Sequence, residues 1–128
     1  MSSAVIGPEL TDRVVLVRPP VKGDAPSIFA ACQDPEVSRF TALPAPYEWH
    51  HAAEWVTGAP EAWRSRTSTP MVVVDVTTGE FLGACGLIEM KEDQAEIGYW
   101  VKRQALGRGV ATRAVLLVTH WGLTSACP

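Results

Sequence analysis

Short β-branched runs and longer helical stripes divide this chain into seven segments. Val14–Arg18 (VVLVR) predicts a strand ended by Pro19-Pro20, and Asp24 is placed to cap the next segment. Ala25, Ile28, Phe29 and Cys32 then follow the i, i+3, i+4, i+7 spacing of a helix, closed by Asp34-Pro35. Thr41 to Tyr47, with two prolines, predicts a loop. A second helix is expected from about Glu48 to Thr57, interrupted by Gly58 and Pro60 before Glu61 to Ser65. Met71–Val76 and Phe81–Glu89 predict two antiparallel strands joined by the turn Thr77-Thr78-Gly79-Glu80. After a charged turn at Lys91 to Asp93, Gln94–Val101 predicts a further strand. Ala95, Ile97, Tyr99 and Val101 lie on one of its faces, and Glu96, Gly98 and Trp100 on the other. The last helix, about Arg108 to Leu123, carries an apolar stripe of Val110, Ala111, Ala114, Val115, Leu117, Val118 and Trp121 that must pack against a sheet. The order is strand, two helices, three antiparallel strands, helix: an α+β domain over residues 9–123.

The junction between the last strand and last helix holds the chemistry. Gly107 and Gly109 allow a tight bend and leave backbone N–H groups uncovered. The helix after them points its unpaired N–H groups and positive dipole end at the same place. Such a corner suits a pyrophosphate or a similar anion. It is not a P-loop, which would end Gly-Lys-Ser/Thr. Nor is it a dinucleotide fingerprint, because Thr112 stands where a third glycine would be and the strands before it read as hairpins.

Composition narrows the class. The 128 residues suffice for one domain with a real core. With 47% hydrophobic and 20% charged residues, the chain reads as globular, not disordered. A net charge of −3 argues against a nucleic-acid surface, although Lys102, Arg103, Arg108 and Arg113 form a basic patch beside the glycines. No run reaches the roughly 20 apolar residues of a membrane span, and Met1 to Gly7 has no secretory pattern. Cys32, Cys85 and Cys127 are isolated and lack metal spacing, so they read as thiols of a cytoplasmic protein. His50-His51 reads as solvated imidazoles without a partner at metal spacing, and no metal is expected. His120 reads as a helix-surface residue. Trp49, Trp55 and Trp63 read as packing residues, and so does Tyr99, on the Ile97 and Val101 face. Trp100 either lines a cleft or covers a sheet face.

Gln104-x-x-Gly107-x-Gly109 resembles the acyl-CoA-binding signature of the GNAT acetyltransferase superfamily. Glu96-Ile97-Gly98-Tyr99-Trp100-Val101 before it resembles the corresponding strand of the RimJ/RimL-like branch. Leu10-Thr11-x-Arg13, Asp34-Pro35-Glu36-Val37, Pro46-Tyr47 and Thr78 to Gly83 agree, so the resemblance covers nearly all of residues 9–123. It implies the GNAT fold, a mostly antiparallel sheet flanked by helices, and acetyl transfer from acetyl-CoA to a primary amine such as a protein N-terminus. It places the pantetheine arm along the backbone at Trp100 and Val101. The pyrophosphate falls on the turn from Leu106 through Gly107, Arg108, Gly109 and Val110 to Ala111. Gln104 would shape that turn and Arg108 would add charge. Glu96 becomes the candidate general base, against the alternative of a solvated strand residue; a carboxyl with the reference pKa of about 4.3 needs burial or a relaying water for that task. Tyr47 becomes a candidate acceptor-binding residue.

The family core continues with a strand, a helix and a hairpin beyond this last helix. The expectation is therefore a C-terminally truncated domain with an unpaired sheet edge, which favours a homodimer or exchange of elements. Two readings of other classes follow: a catalytically silent acyl-CoA-binding or interaction module, and a fragment that folds without function.

Overall fold

The computed structural model describes residues 7–39, 43–92 and 94–126. Thr41 in the expected loop, Asp93 in the expected turn, Cys127 and Met1 to Ile6 lie outside them. Five strands form one antiparallel sheet in the order β1-β2-β3-β4-β5: β1 (Leu10–Thr11), β2 (Val15–Arg18), β3 (Met71–Asp75), β4 (Phe81–Ile88) and β5 (Glu96–Val101). Four helices accompany them: α1 (Ala25–Ala31), α2 (Pro35–Arg39), α3 (Trp49–Ser65) and α4 (Val110–Trp121), the last running on through a π-helical turn at Gly122–Ala126.

The sheet separates two apolar layers. On one face Val15, Val17, Met71, Val73, Leu82, Cys85 and Leu87 meet Val110, Ala114 and Val118 of α4. On the other, Val72 and Phe81 meet Ala25, Ile28 and Cys32 of the α1 end, Val37 of α2, and Ala52 and Val56 of α3. The β-branched run Met71–Val74 reads as continuously apolar because its alternate side chains serve both layers, and all four are buried.

Four local expectations are corrected. The expected first strand is the second of a hairpin: β1 pairs with it, Leu10 opposite Val17. Two residues carry no period of their own. The hairpin is held by the Asp12 carboxylate, which accepts the N–H groups of Val14 and Val15, both at 2.9 Å. Asp24 precedes α1 but does not cap it. Its carboxylate instead takes Arg18 in a two-point ion pair (2.9 and 3.0 Å) and the Val21 N–H (2.7 Å). Pro35 does not end a helix; it opens α2, where a missing N–H costs nothing, while Asp34 accepts the Glu36 N–H at 2.9 Å. Finally, α3 passes Gly58 and Pro60 unbroken. Proline forfeits one bond of the helical ladder there, and the burial of Ala52, Val56 and Ala59 along one face outweighs that loss.

Candidate active site

β5 is the outermost strand, bonded only to β4 among the described residues. The Lys102 N–H donates to the Leu82 carbonyl at 2.9 Å. Alternation along the antiparallel ladder then turns the backbone of Trp100 and Gly98 toward β4, and that of Ile97, Tyr99 and Val101 toward the open edge. A cleft of about 850 Å³ follows this edge. Of the two positions expected to offer backbone to a pantetheine arm, Val101 presents its N–H and C=O outward, whereas Trp100 presents a side chain.

At the end of β5 the chain makes a short 3-10 turn (Arg103–Ala105), with Ala105 buried under it, and enters the glycine corner. Gly107 (φ 81°) and Gly109 (φ 74°) both take the left-handed conformation. No atom lies within 4 Å of where a Cβ would stand on either, so the corner is open above both. Gly109 is the N-cap of α4 and no side chain caps the helix. The first turn therefore offers the N–H groups of Gly109, Val110, Ala111 and Thr112 to a ligand. Leu106 is exposed and lines the cleft with Ala111. Gln104 is exposed on the 3-10 turn.

Arg108 is engaged, not free. Its guanidinium contacts Asp75 at 3.4 Å and Glu80 at 3.5 Å, and Glu80 also binds Lys102 at 2.9 Å. Lys102 and Arg108 hold the Glu80 carboxyl below its ordinary value. The N–H of Thr78 is the main influence that lowers Asp75. Lys102 and Arg108 are thus clasped by Asp75 and Glu80 at the β3–β4 turn, whereas Arg103 pairs with Asp34 and Arg113 with Asp12; the long Arg108 contacts on an exposed surface are weak ones.

Glu96 opens β5 on an exposed position. A hydrogen bond to Glu89 and the negative charge of that neighbour raise its carboxyl above the ordinary value, against a smaller opposing pull from Lys91. This shift comes chiefly from a second carboxylate, with a smaller contribution from desolvation. Glu96 does not line the cleft. Between it and Trp100, Gly98 faces Gly86 across the two strands, so this strip of the cleft floor is bare backbone. A Cβ at Gly86 would collide with the Thr69 carbonyl oxygen, and one at Gly98 would stand 3.3 Å from the Ile88 side chain.

Trp100 does both things its position allows. Its ring packs on Phe81, centroids 5.8 Å apart, and it lines the cleft. Tyr99 corrects the expectation of a core residue: it is 51% exposed and lines the same cleft. Ile97 and Val101 on its face reach the α4 layer, but Tyr99 stands at the open edge where nothing described covers it.

Tyr47 is not brought to the cleft. It packs in the α1–α3 layer, where its hydroxyl meets the Cys32 thiol. Burial pushes Tyr47 and Cys32 up, the thiol to about 12. Cys85, in the cleft floor, is likewise pushed to about 12 by burial, so neither thiol is a ready nucleophile. His50-His51 corrects the reading of imidazoles without partners. Glu48 and Glu54 converge on them, and Glu48, His50 and His51 each bring a donor atom within 4.8 Å of the others.

Sequence reasoning foresaw no helix at α2 and favoured packing for Trp55 on α3, although the family resemblance allowed acceptor-binding residues near that helix. Val37 and Trp55 form the far wall of the cleft with Asp34, whose carboxylate is bound by Arg103 through two contacts. The pattern around Asp34 was visible as part of the family resemblance; the partnership with Arg103 left no local sign. No helix among the described residues is long and apolar enough to cross a membrane.

The open strand edge leads into an uncapped helix start behind two left-handed glycines, a corner built to accept an anion. A family model described as the acetyltransferase (GNAT) domain matches residues 13–126, and the chain belongs to that family of acetyl-CoA-dependent acetyltransferases. Solved structures agree on the fold. An acetyltransferase from Agrobacterium tumefaciens superposes with a TM-score of 0.76 at 19% identity, covering 94% of this chain and 69% of that one. A ribosomal-protein-alanine acetyltransferase from Vibrio fischeri gives 0.71 at 15% identity, covering 94% and 69%. A microcin self-immunity acetyltransferase solved with acetyl-CoA and AMP gives 0.74 at 12% identity, covering 96% and 72%. No curated protein matches the chain.

Proposed function

We propose that this acetyltransferase domain holds acetyl-CoA along the free edge of β5 and in the glycine corner, and passes the acetyl group to a primary amine. The observation that carries this reading is the continuity of the two parts: the outward backbone of Val101 leads within one short turn to the uncapped N–H groups of Gly109 to Thr112. Those N–H groups take the pyrophosphate without a buried cation. Arg108 adds charge by leaving its long contacts with Asp75 and Glu80. Gln104 shapes the turn.

The acceptor enters between β5, at Trp100, and the facing wall made by Val37 and Trp55. Glu96 takes a proton from the ammonium, directly or through one water, and its neighbour Glu89 makes it a better base than an isolated carboxylate. The amine nitrogen then attacks the thioester carbonyl, the C–S bond breaks, and the CoA thiolate departs and is protonated. Val37 on α2 and Trp55 on α3 shape the acceptor wall, with Tyr47 packed behind them. A second copy of the chain, pairing with the open β5 edge or exchanging elements there, competes with acetyl-CoA for the same backbone, so the cofactor should shift such a dimer toward monomer; a monomeric mass at high concentration without ligand contradicts this pairing.

One observation favours a silent acyl-CoA-binding module: Glu96 stands outside the cleft lining. Thiol release from acetyl-CoA with a panel of primary amines and N-terminal peptides separates the two. Turnover that drops in Glu96→Gln supports the transferase. Saturable acetyl-CoA binding with no thiol release for any amine supports the module.

A further inference from the structure

We propose that Glu48, His50 and His51, at the start of α3, form a surface site for a divalent transition metal of the zinc type. Their donor atoms lie within 4.8 Å of one another. His50 Nε2 is 3.1 Å from Glu48 Oε1. Two ligands each about 2.0–2.1 Å from a tetrahedral zinc stand roughly 3.3 Å apart, so this pair already has the right separation.

The other side of the His50 ring supplies a second, separate indication. Its Nδ1 is 3.2 Å from Glu54 Oε2. With Nδ1 carrying the proton, Glu54 holds the ring in the orientation that turns the Nε2 lone pair toward Glu48. A carboxylate on the outer nitrogen of a ligating histidine is the usual support of a metal site. The His51 ring lies beside that of His50, tilted by 43° with centroids 4.0 Å apart. Its Nδ1 accepts the Glu48 N–H at 2.9 Å and supplies the third donor by exchanging that bond for the metal.

Two imidazoles and a carboxylate suit zinc better than magnesium or calcium, which take oxygen donors. The site is at the surface, so water fills the fourth position and little desolvation opposes binding. The positive end of the α3 dipole, about half a charge, opposes a cation there. Glu48 and Glu54 together outweigh it. None of these residues lines the cleft, so the site is separate from the acetyl-transfer machinery.

The test is calorimetric titration of the full chain with Zn²⁺ alone, with Co²⁺ absorption reporting a tetrahedral environment. One saturable equivalent is expected. His50→Ala should weaken it at least tenfold, and Glu54→Gln, which leaves all three donors in place, by about tenfold. Helix content by circular dichroism and the melting temperature without metal are measured for each variant. If His50→Ala does not fold, Glu54→Gln decides. No saturable binding, or equal affinity in the wild type and the folded variants, overturns the proposal.

Discussion

Arg103 grips Asp34 across 69 residues of sequence, its Nε 2.6 Å and its Nη2 2.8 Å from the two carboxylate oxygens. The pair ties the turn that leads into the glycine corner to the start of α2. The proposed cofactor end of the cleft is thereby fixed to the proposed acceptor wall, since both residues line it. A two-point contact of this kind fixes orientation as well as distance.

The Arg103 guanidinium and then the Glu36 N–H hold the Asp34 carboxyl down at about 2, against roughly 3.9 in an unfolded chain. A depressed folded value stabilises the native state above the unfolded pKa and loses that contribution as pH falls toward the folded one. The melting temperature should fall between about pH 5 and pH 2. Asp34→Asn should melt lower than wild type at pH 7 and show a shallower decline over that window. Parallel curves for the two proteins would remove the pair from the account.

Gly107→Ala and Gly109→Ala each force an L-residue into the left-handed region at a cost of about 1 kcal/mol. Neither added methyl meets protein, so denaturant midpoints should shift modestly and the fold should survive. Acetyl-CoA affinity should fall more than stability does, because the methyl enters the space above the N–H groups.

Leu82 is buried in the layer under α4. Leu82→Ala should cost about 2–5 kcal/mol in chemical denaturation. Trp100→Ala should cost less at this partly exposed position while widening the acceptor wall, which would appear as a higher KM for the amine.

Glu96→Gln should abolish the acidic limb of the pH profile of kcat/KM for the amine and lower its plateau. Glu89→Gln should move that limb to lower pH, because the neighbouring negative charge that raises Glu96 is gone. A profile identical to wild type in Glu96→Gln assigns proton removal to another group.

Four of the five strands were legible because their β-branched and apolar runs serve two layers at once, whereas the two residues of β1 carry no period; the turn Thr77 to Glu80 announces the β3–β4 hairpin. The glycine corner was legible for the same local reason: left-handed backbone has few substitutes for Gly107 and Gly109. Prolines misled. Pro60 reads as a break, yet burial of Val56 and Ala59 on one face keeps α3 whole. Pro35 reads as an end and is a beginning. Tyr99 was misplaced because alternation tells which face a side chain takes, not whether anything covers that face. The pairs Arg103–Asp34 and Arg113–Asp12, separated by 69 and 101 residues, have no local signature at all.

The central claim is that the β5 edge and the glycine corner bind acetyl-CoA. Its most direct test is the melting temperature of wild type and Gly109→Ala with and without saturating acetyl-CoA. A ligand of the folded state must raise it. A clear rise is expected for the wild type and a much smaller one for Gly109→Ala at the same concentration. No rise in the wild type, or an equal rise in both proteins, would contradict it.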